Sequence, residues 1–109
     1  FMQITVSGHQ VEITEPLRNY ASEKIGRLQK HFDDVINTKV VLHVQKNLHK
    51  AEATIHAPGT TLHANAEGSD MYAAIDALAA KLDRQMLRHR GKTADHHRGE
   101  GSLKKLETP

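Results

Sequence analysis

The sequence predicts an α+β domain of element order β-α-β-β-β-α, one four-stranded sheet with two helices packed on one face. Three observations carry this. Four short runs alternate apolar and polar residues at the period of a half-buried strand. Two longer runs repeat apolar residues at helical spacing behind capping residues. Glycine, proline and asparagine stand between the runs, where turns need them. A chain of 109 residues has room for one domain and a small core.

Phe1 precedes Met2 and is set aside as a leftover; the domain is taken as residues 2–91. In residues 2–7, Ile4 and Val6 alternate with Gln3, Thr5 and Ser7, and Ser7-Gly8 closes the strand. Thr14 is the expected N-cap of the first helix. Glu15 follows in the first turn, where the helix dipole favours an acid, and Pro16 is tolerated at that point. Leu17, Ala21, Ile25, Leu28 and Phe32 recur at helical spacing, predicting a helix over about 15–32.

Three strands come next. Val40, Leu42 and Val44 alternate with Val41, His43 and Gln45; Ala51, Ala53, Ile55 and Ala57 with Glu52, Thr54 and His56; Leu62, Ala64 and Ala66 with His63, Asn65 and Glu67. Asn47-Leu48 and Pro58-Gly59 are the expected connections of an antiparallel meander. Its alanine-rich inner face lets helices approach closely. Ser69 or Asp70 then caps a second helix, with Met71, Ile75, Leu78, Leu82 and Met86 on one side and Gly91 as its stop. Residues 92–109 contain three Gly-or-Pro breakers and only Ala94, Leu103 and Leu106 as apolar residues, so a disordered tail is expected.

Composition narrows the function. The absence of cysteine excludes a disulfide scaffold, a Cys-ligated metal and thiol chemistry. The longest apolar run, residues 71–75, is far short of a membrane span or a signal core, which fits a soluble cytoplasmic protein with no membrane partner. No phosphate-binding glycine loop, H-E-x-x-H or G-x-S-x-G occurs, and no pair of acids is spaced to share a proton. An enzyme, a cofactor and a small-molecule substrate are therefore not expected. His43, His56 and His63 project from the polar sheet face. In a simple register His63 lies opposite Thr54, His43 opposite Glu52, and His56 a diagonal step away. Three imidazoles and a carboxylate can ligate zinc, but exposed strand positions are polar by default, and a solvated face is the simpler reading.

The formal net charge is only +2, so its distribution decides. Residues 24–31 hold three bases (Lys24, Arg27, Lys30) and no acid; residues 81–92 hold five (Lys81, Arg84, Arg88, Arg90, Lys92) against Asp83 alone. Residues 33–80 hold six acids and three bases. Lys24, Arg27 and His31 stand at i, i+3, i+7 beside the apolar stripe of the first helix. Lys81, Arg84 and Arg88 repeat that spacing on the second, with Gln85 and His89 beside them. Solvated faces interleave acids for i,i+4 pairing; two nearly acid-free stripes on helices that share a sheet face predict a polyanion-binding surface. No strand carries an exposed aromatic, which argues against base stacking on the sheet and for shape and backbone recognition of structured RNA.

The run Val11-Glu12-Ile13-Thr14-Glu15-Pro16-Leu17-Arg18 resembles the opening of the hibernation promoting factor / ribosome-associated inhibitor (protein Y) family. Ala53-Thr54-Ile55-His56, Leu62-His63-Ala64 and Ala66-Glu67-Gly68 extend the resemblance. Its most specific part is Asp70-Met71-Tyr72-Ala73-Ala74-Ile75-Asp76, continuing to Lys81-Leu82, Arg84-Gln85 and His89. Together these cover about residues 2–92, and they are most similar to the short ribosome hibernation promoting factors of that family. The resemblance implies a fold like a double-stranded-RNA-binding domain. It implies occupation of the small ribosomal subunit's decoding region and messenger channel, exclusion of transfer RNA and messenger, and inhibition of translation in stationary phase or stress. It further implies 16S rRNA contacts by Lys24, Arg27, Lys81, Arg84 and Arg88, with Lys30, His31, Gln85, His89, Arg90 and Lys92 on the same stripes. Short members promote inactive ribosome dimers together with the ribosome modulation factor, whereas inhibitor-like members oppose dimers through an acidic C-terminal extension. The tail here is slightly basic, so dimer promotion is expected.

Overall fold

A computed structural model describes residues 2–31 and 36–98, and the side chains within them except at 31 and 89–98. Strand β1 is Met2–His9, β2 Ile36–Gln45, β3 Leu48–Ala57 and β4 Thr60–Gly68; helix α1 is Glu15–Gly26 and α2 Met71–Arg98. The strands lie in the order β1-β2-β3-β4, with β1 parallel to β2 and the other neighbours antiparallel. This is the α+β architecture the sequence predicts. Both helices cover one face, α2 over β3 and β4, α1 over β1 and against α2.

Local chemistry explains the boundaries. The Thr14 hydroxyl accepts from Leu17 N at 3.3 Å, and Asp70 Oδ1 accepts from Ala73 N at 2.8 Å; each satisfies an N–H that the first turn leaves without a helical partner. Pro58 and Gly59 turn β3 into β4, with Gly59 at φ 77°, the left-handed backbone a type II turn requires at that place.

The first hairpin differs from expectation by one residue. Its turn is Lys46-Asn47, with Lys46 at φ 58°, and Gln45 pairs with Leu48. Moving a hairpin turn by one residue moves the pairing by two, so His43 faces Lys50, and Val41 takes the expected place of His43 opposite Glu52. His63 does face Thr54.

Two helix ends also differ. α1 stops at Gly26 and tightens into a 3-10 turn over Arg27–His31. Glycine is disfavoured inside an α-helix and tolerated at its end, and the tighter turn that follows still buries Leu28. Phe32, the expected last core residue of this helix, lies outside the described residues. α2 runs through Gly91 to Arg98. One glycine costs a helix only about 1 kcal/mol, and no proline follows it there, so Gly91 does not stop it. Residues 99–109 of the expected tail lie outside the described residues.

The core lies between the sheet and the helices. Val40, Leu42 and Ile55 from the strands meet Leu17, Ile25, Ile75, Leu78, Leu82 and Met86 from the helices, all buried. Ala51, Ala53, Ala64 and Ala66 keep the sheet low beneath α2. At Gly68 the sheet and α2 approach closely: a Cβ there would stand 2.6 Å from Ala74 N. No helix of the described residues is long and apolar enough to cross a membrane.

Candidate nucleic-acid interface

Strand directions fix helix directions. β1 and β4 point the same way, and α1 and α2 each return against the strand before them, so the two helices run parallel. Contacts between them confirm it. Tyr20 meets Tyr72 edge-to-face with ring centroids 4.8 Å apart; its hydroxyl donates to Asp76 Oδ1 at 2.6 Å; Lys24 Nζ lies 3.6 Å from the same oxygen. One step along α1 thus matches one step along α2. The later turns of both helices, which carry the bases, fall at the same end of the layer.

The bases do not share one environment. Lys24 is spoken for twice, by Asp76 and by the Tyr20 ring, whose centroid is 5.5 Å from its Nζ. Arg27 pairs with Glu23 at 3.3 Å, an exposed i,i+4 contact. Lys81 donates to the Asn65 carbonyl at 2.7 Å, and Gln85 donates to that of His63 at 3.1 Å. Both acceptors belong to β4, an edge strand, so these side chains serve the sheet as well as facing solvent. Lys30, Arg84 and Arg88 are exposed, and among the described residues none of them forms an ion pair. His31 closes the 3-10 turn, and His89, Arg90 and Lys92 lie along α2.

The Asp76 carboxylate, accepting the Tyr20 hydroxyl, pushes the Tyr20 pKa up, with partial burial and the same carboxylate's charge adding to the shift. Neither Tyr20 nor Asp76 figures in the base pattern of the sequence. Glu23 stands one residue before the stretch read as free of acids, and its pairing with Arg27 is not part of that reading; Asp76 becomes the partner of Lys24 only once the helices are aligned.

A family model described as "Sigma 54 modulation protein / S30EA ribosomal protein" matches residues 4–94. The chain belongs to this family. A "Ribosome hibernation promoting factor" of Azotobacter vinelandii is 48% identical over 99 residues, 91% of this chain and 92% of that one. The protein of that name from Escherichia coli K12 is 46% identical over 95 residues, 87% of this chain and all of that one. Among solved structures, the Thermus thermophilus Protein Y N-terminal domain is similar with a TM-score of 0.77 at 34% identity, covering 81% of this chain and 99% of that one. A ribosomal subunit interface protein from Coxiella burnetii gives 0.74 at 30% identity, covering 83% and 99%.

Among the described residues of this S30EA-family chain, no helix covers the opposite sheet face. Its histidines do not assemble. His43 Nε2 lies 2.9 Å from Glu52 Oε2, near but not aligned as a hydrogen bond, and its ring lies tilted beside that of His9, centroids 5.5 Å apart. His63 Nδ1 bonds the Thr54 hydroxyl at 2.9 Å, and His56 Nδ1 that of Thr61 at 3.5 Å. Among the described residues no three His, Asp or Glu side chains are grouped to hold a metal ion, so the zinc reading of His43, His56 and His63 is not supported.

Proposed function

We propose that the chain is a ribosome hibernation factor of the cytoplasm that binds the small ribosomal subunit through 16S rRNA phosphates. The observation that carries this is the parallel pairing of α1 and α2, which brings the turn that carries Arg27 and Lys30 to the same end of the helix layer as the turns that carry Arg84 and Arg88. Arginine forks match phosphate oxygens in pairs, and lysine adds point charge. The names of the relatives, ribosome hibernation promoting factor and ribosomal subunit interface protein, support the same partner. Bound in the decoding region and messenger channel, the body excludes messenger and transfer RNA by bulk. Translation stops in stationary phase or stress without any bond being made or broken, so no catalytic group or cofactor is required. Ribosomes so emptied pair into inactive dimers, with the ribosome modulation factor acting through the dimer and not on this chain.

The test is sedimentation of purified ribosomes with the protein, at two salt concentrations and with or without the modulation factor. Co-sedimentation with the small subunit and a dimer peak are expected, and Arg84→Glu with Arg88→Glu is expected to abolish both while the fold survives. Binding with suppressed dimers would replace dimer promotion by inhibitor-like action. Undiminished binding of the double variant would refute the helix surface.

A further inference from the structure

Asp76 is an acid beside a surface built for phosphates. It is half-exposed, so its ion pair with Lys24 adds little to stability, and its charge works against a polyanion. What it supplies is geometry. Among the described residues, the polar contacts between α1 and α2 all end on Asp76 Oδ1: the Tyr20 hydroxyl at 2.6 Å and Lys24 Nζ at 3.6 Å. Tyr72, one turn earlier on α2, packs edge-to-face with the Tyr20 ring and fixes its direction. Beyond this seam α1 has only two residues before the 3-10 turn begins. Arg27 and Lys30 lie on that turn, so the slide and rotation of α1 at Tyr20 set where they fall beside α2.

We propose that the Tyr20–Asp76 hydrogen bond is a positioning contact, holding α1 in register with α2 so that Arg27 and Lys30 act with Arg84 and Arg88 on one polyanionic surface. This rests on the ribosome-binding reading above and names the residues that align its two halves. Electrostatics and positioning then make opposite forecasts. If Asp76 is only an unfavourable charge, removing it tightens binding. If it positions α1, removing it weakens binding although the net charge rises.

The experiment measures affinity for purified small ribosomal subunits, and its salt dependence, for the full chain and three variants. Tyr20→Phe, which changes no charge, is expected to weaken binding by about three- to tenfold, toward the lower end of direct side-chain couplings. Asp76→Ala is expected to weaken it similarly. Asp76→Asn keeps the oxygen that accepts from Tyr20 and releases Lys24, so it is expected to bind as well as the parent or better. A stability control separates this from simple destabilisation: Gln10→Val strains the left-handed backbone (φ 63°) just after β1, at the end of the sheet away from the basic ends of the helices, and is expected to lower the urea midpoint without lowering affinity. Parent-like binding by Tyr20→Phe, or tighter binding by Asp76→Ala, overturns the positioning role alone. A parent protein that does not bind small subunits overturns the functional reading, and this role with it.

Discussion

Lys81 and Arg84 are neighbours on one basic stripe, and their substitutions should separate cleanly. Lys81 Nζ is held 2.7 Å from the Asn65 carbonyl at the β4 edge, whereas Arg84 is exposed and, among the described residues, has no ion pair. If Arg84 neutralises one phosphate, its loss lowers the slope of log affinity against log salt by about 0.9. Over a fourfold rise in salt, from ~50 to ~200 mM, that slope change corresponds to about 3.5-fold, and two lost contacts to about 12-fold. A parent covering about six phosphates loses affinity on the order of a thousandfold over the same range. Arg84→Ala should therefore bind small subunits more weakly and also less salt-sensitively by about 3.5-fold, and Arg84→Ala with Arg88→Ala by about 12-fold. Lys81→Ala should leave the slope near the parent value and instead cost about 0.5–1 kcal/mol of stability, the worth of an exposed side-chain bond to a strand carbonyl. Filter binding at several salt concentrations gives the slopes, and urea unfolding gives the stabilities. A slope for Lys81→Ala as flat as that for Arg84→Ala would refute this division of the stripe.

Two further outcomes test the fold and its seam. Gly68→Ala should destabilise by about 1–3 kcal/mol, because the added methyl would stand 2.6 Å from Ala74 N and 2.9 Å from the Ala73 carbonyl carbon, backbone atoms that cannot swing aside. The usual gain of about 0.4–1 kcal/mol for Gly→Ala is smaller than that, so a urea midpoint at or above the parent's, with unchanged m, contradicts the close approach of β4 to α2. The Tyr20 pKa is raised in the folded state above the ordinary phenol value of 10.0, so folding favours the neutral phenol. The stability this contributes is fully present below pH 10.0 and is lost as pH rises through the folded pKa. Tyr20→Phe should be less sensitive to pH across that alkaline window, and equal pH profiles for parent and variant would remove the Asp76 contact from the account.

Much of the fold was legible because each element announces itself locally. Thr14 and Asp70 are side-chain acceptors in front of periodic apolar residues, and they cap as expected. Ala51, Ala53, Ala64 and Ala66 alternate with polar partners and lie under the helices as expected. What failed depended on a single residue's backbone choice. Lys46 adopts a left-handed conformation that sequence assigns to glycine or asparagine, and this shifted the hairpin and took His43 away from its place opposite Glu52. Gly91 reads as a helix stop only if nothing continues the helix beyond it. The candidate surface was legible as charge but not as geometry. The spacing of Lys24 and Lys81 marks them as members of stripes, while the groups they actually touch, Asp76 and the Asn65 carbonyl, come from elements far away in sequence.

That difference has a common cause at both ends of the sheet. β1 and β4 are edge strands, and an edge strand presents backbone carbonyls with no ladder partner, open to pairing with another chain. Arg18 of α1 donates to the Val6 carbonyl of β1 at 3.3 Å, as Lys81 and Gln85 of α2 donate to those of Asn65 and His63 on β4. Each helix therefore uses polar side chains next to its apolar stripe to satisfy the strand edge it overhangs, and presents other bases to solvent. A base flanking the core side of a helix over an edge strand is in reach of that edge before it is in reach of any partner. On α2 the division follows helix geometry: Lys81 and Gln85, one turn apart, lean to the edge, while Arg84 and Arg88, also one turn apart, stand outward. A polyanion laid on this surface meets the outward pair first, and the edge-bonded pair keeps the sheet closed beneath it.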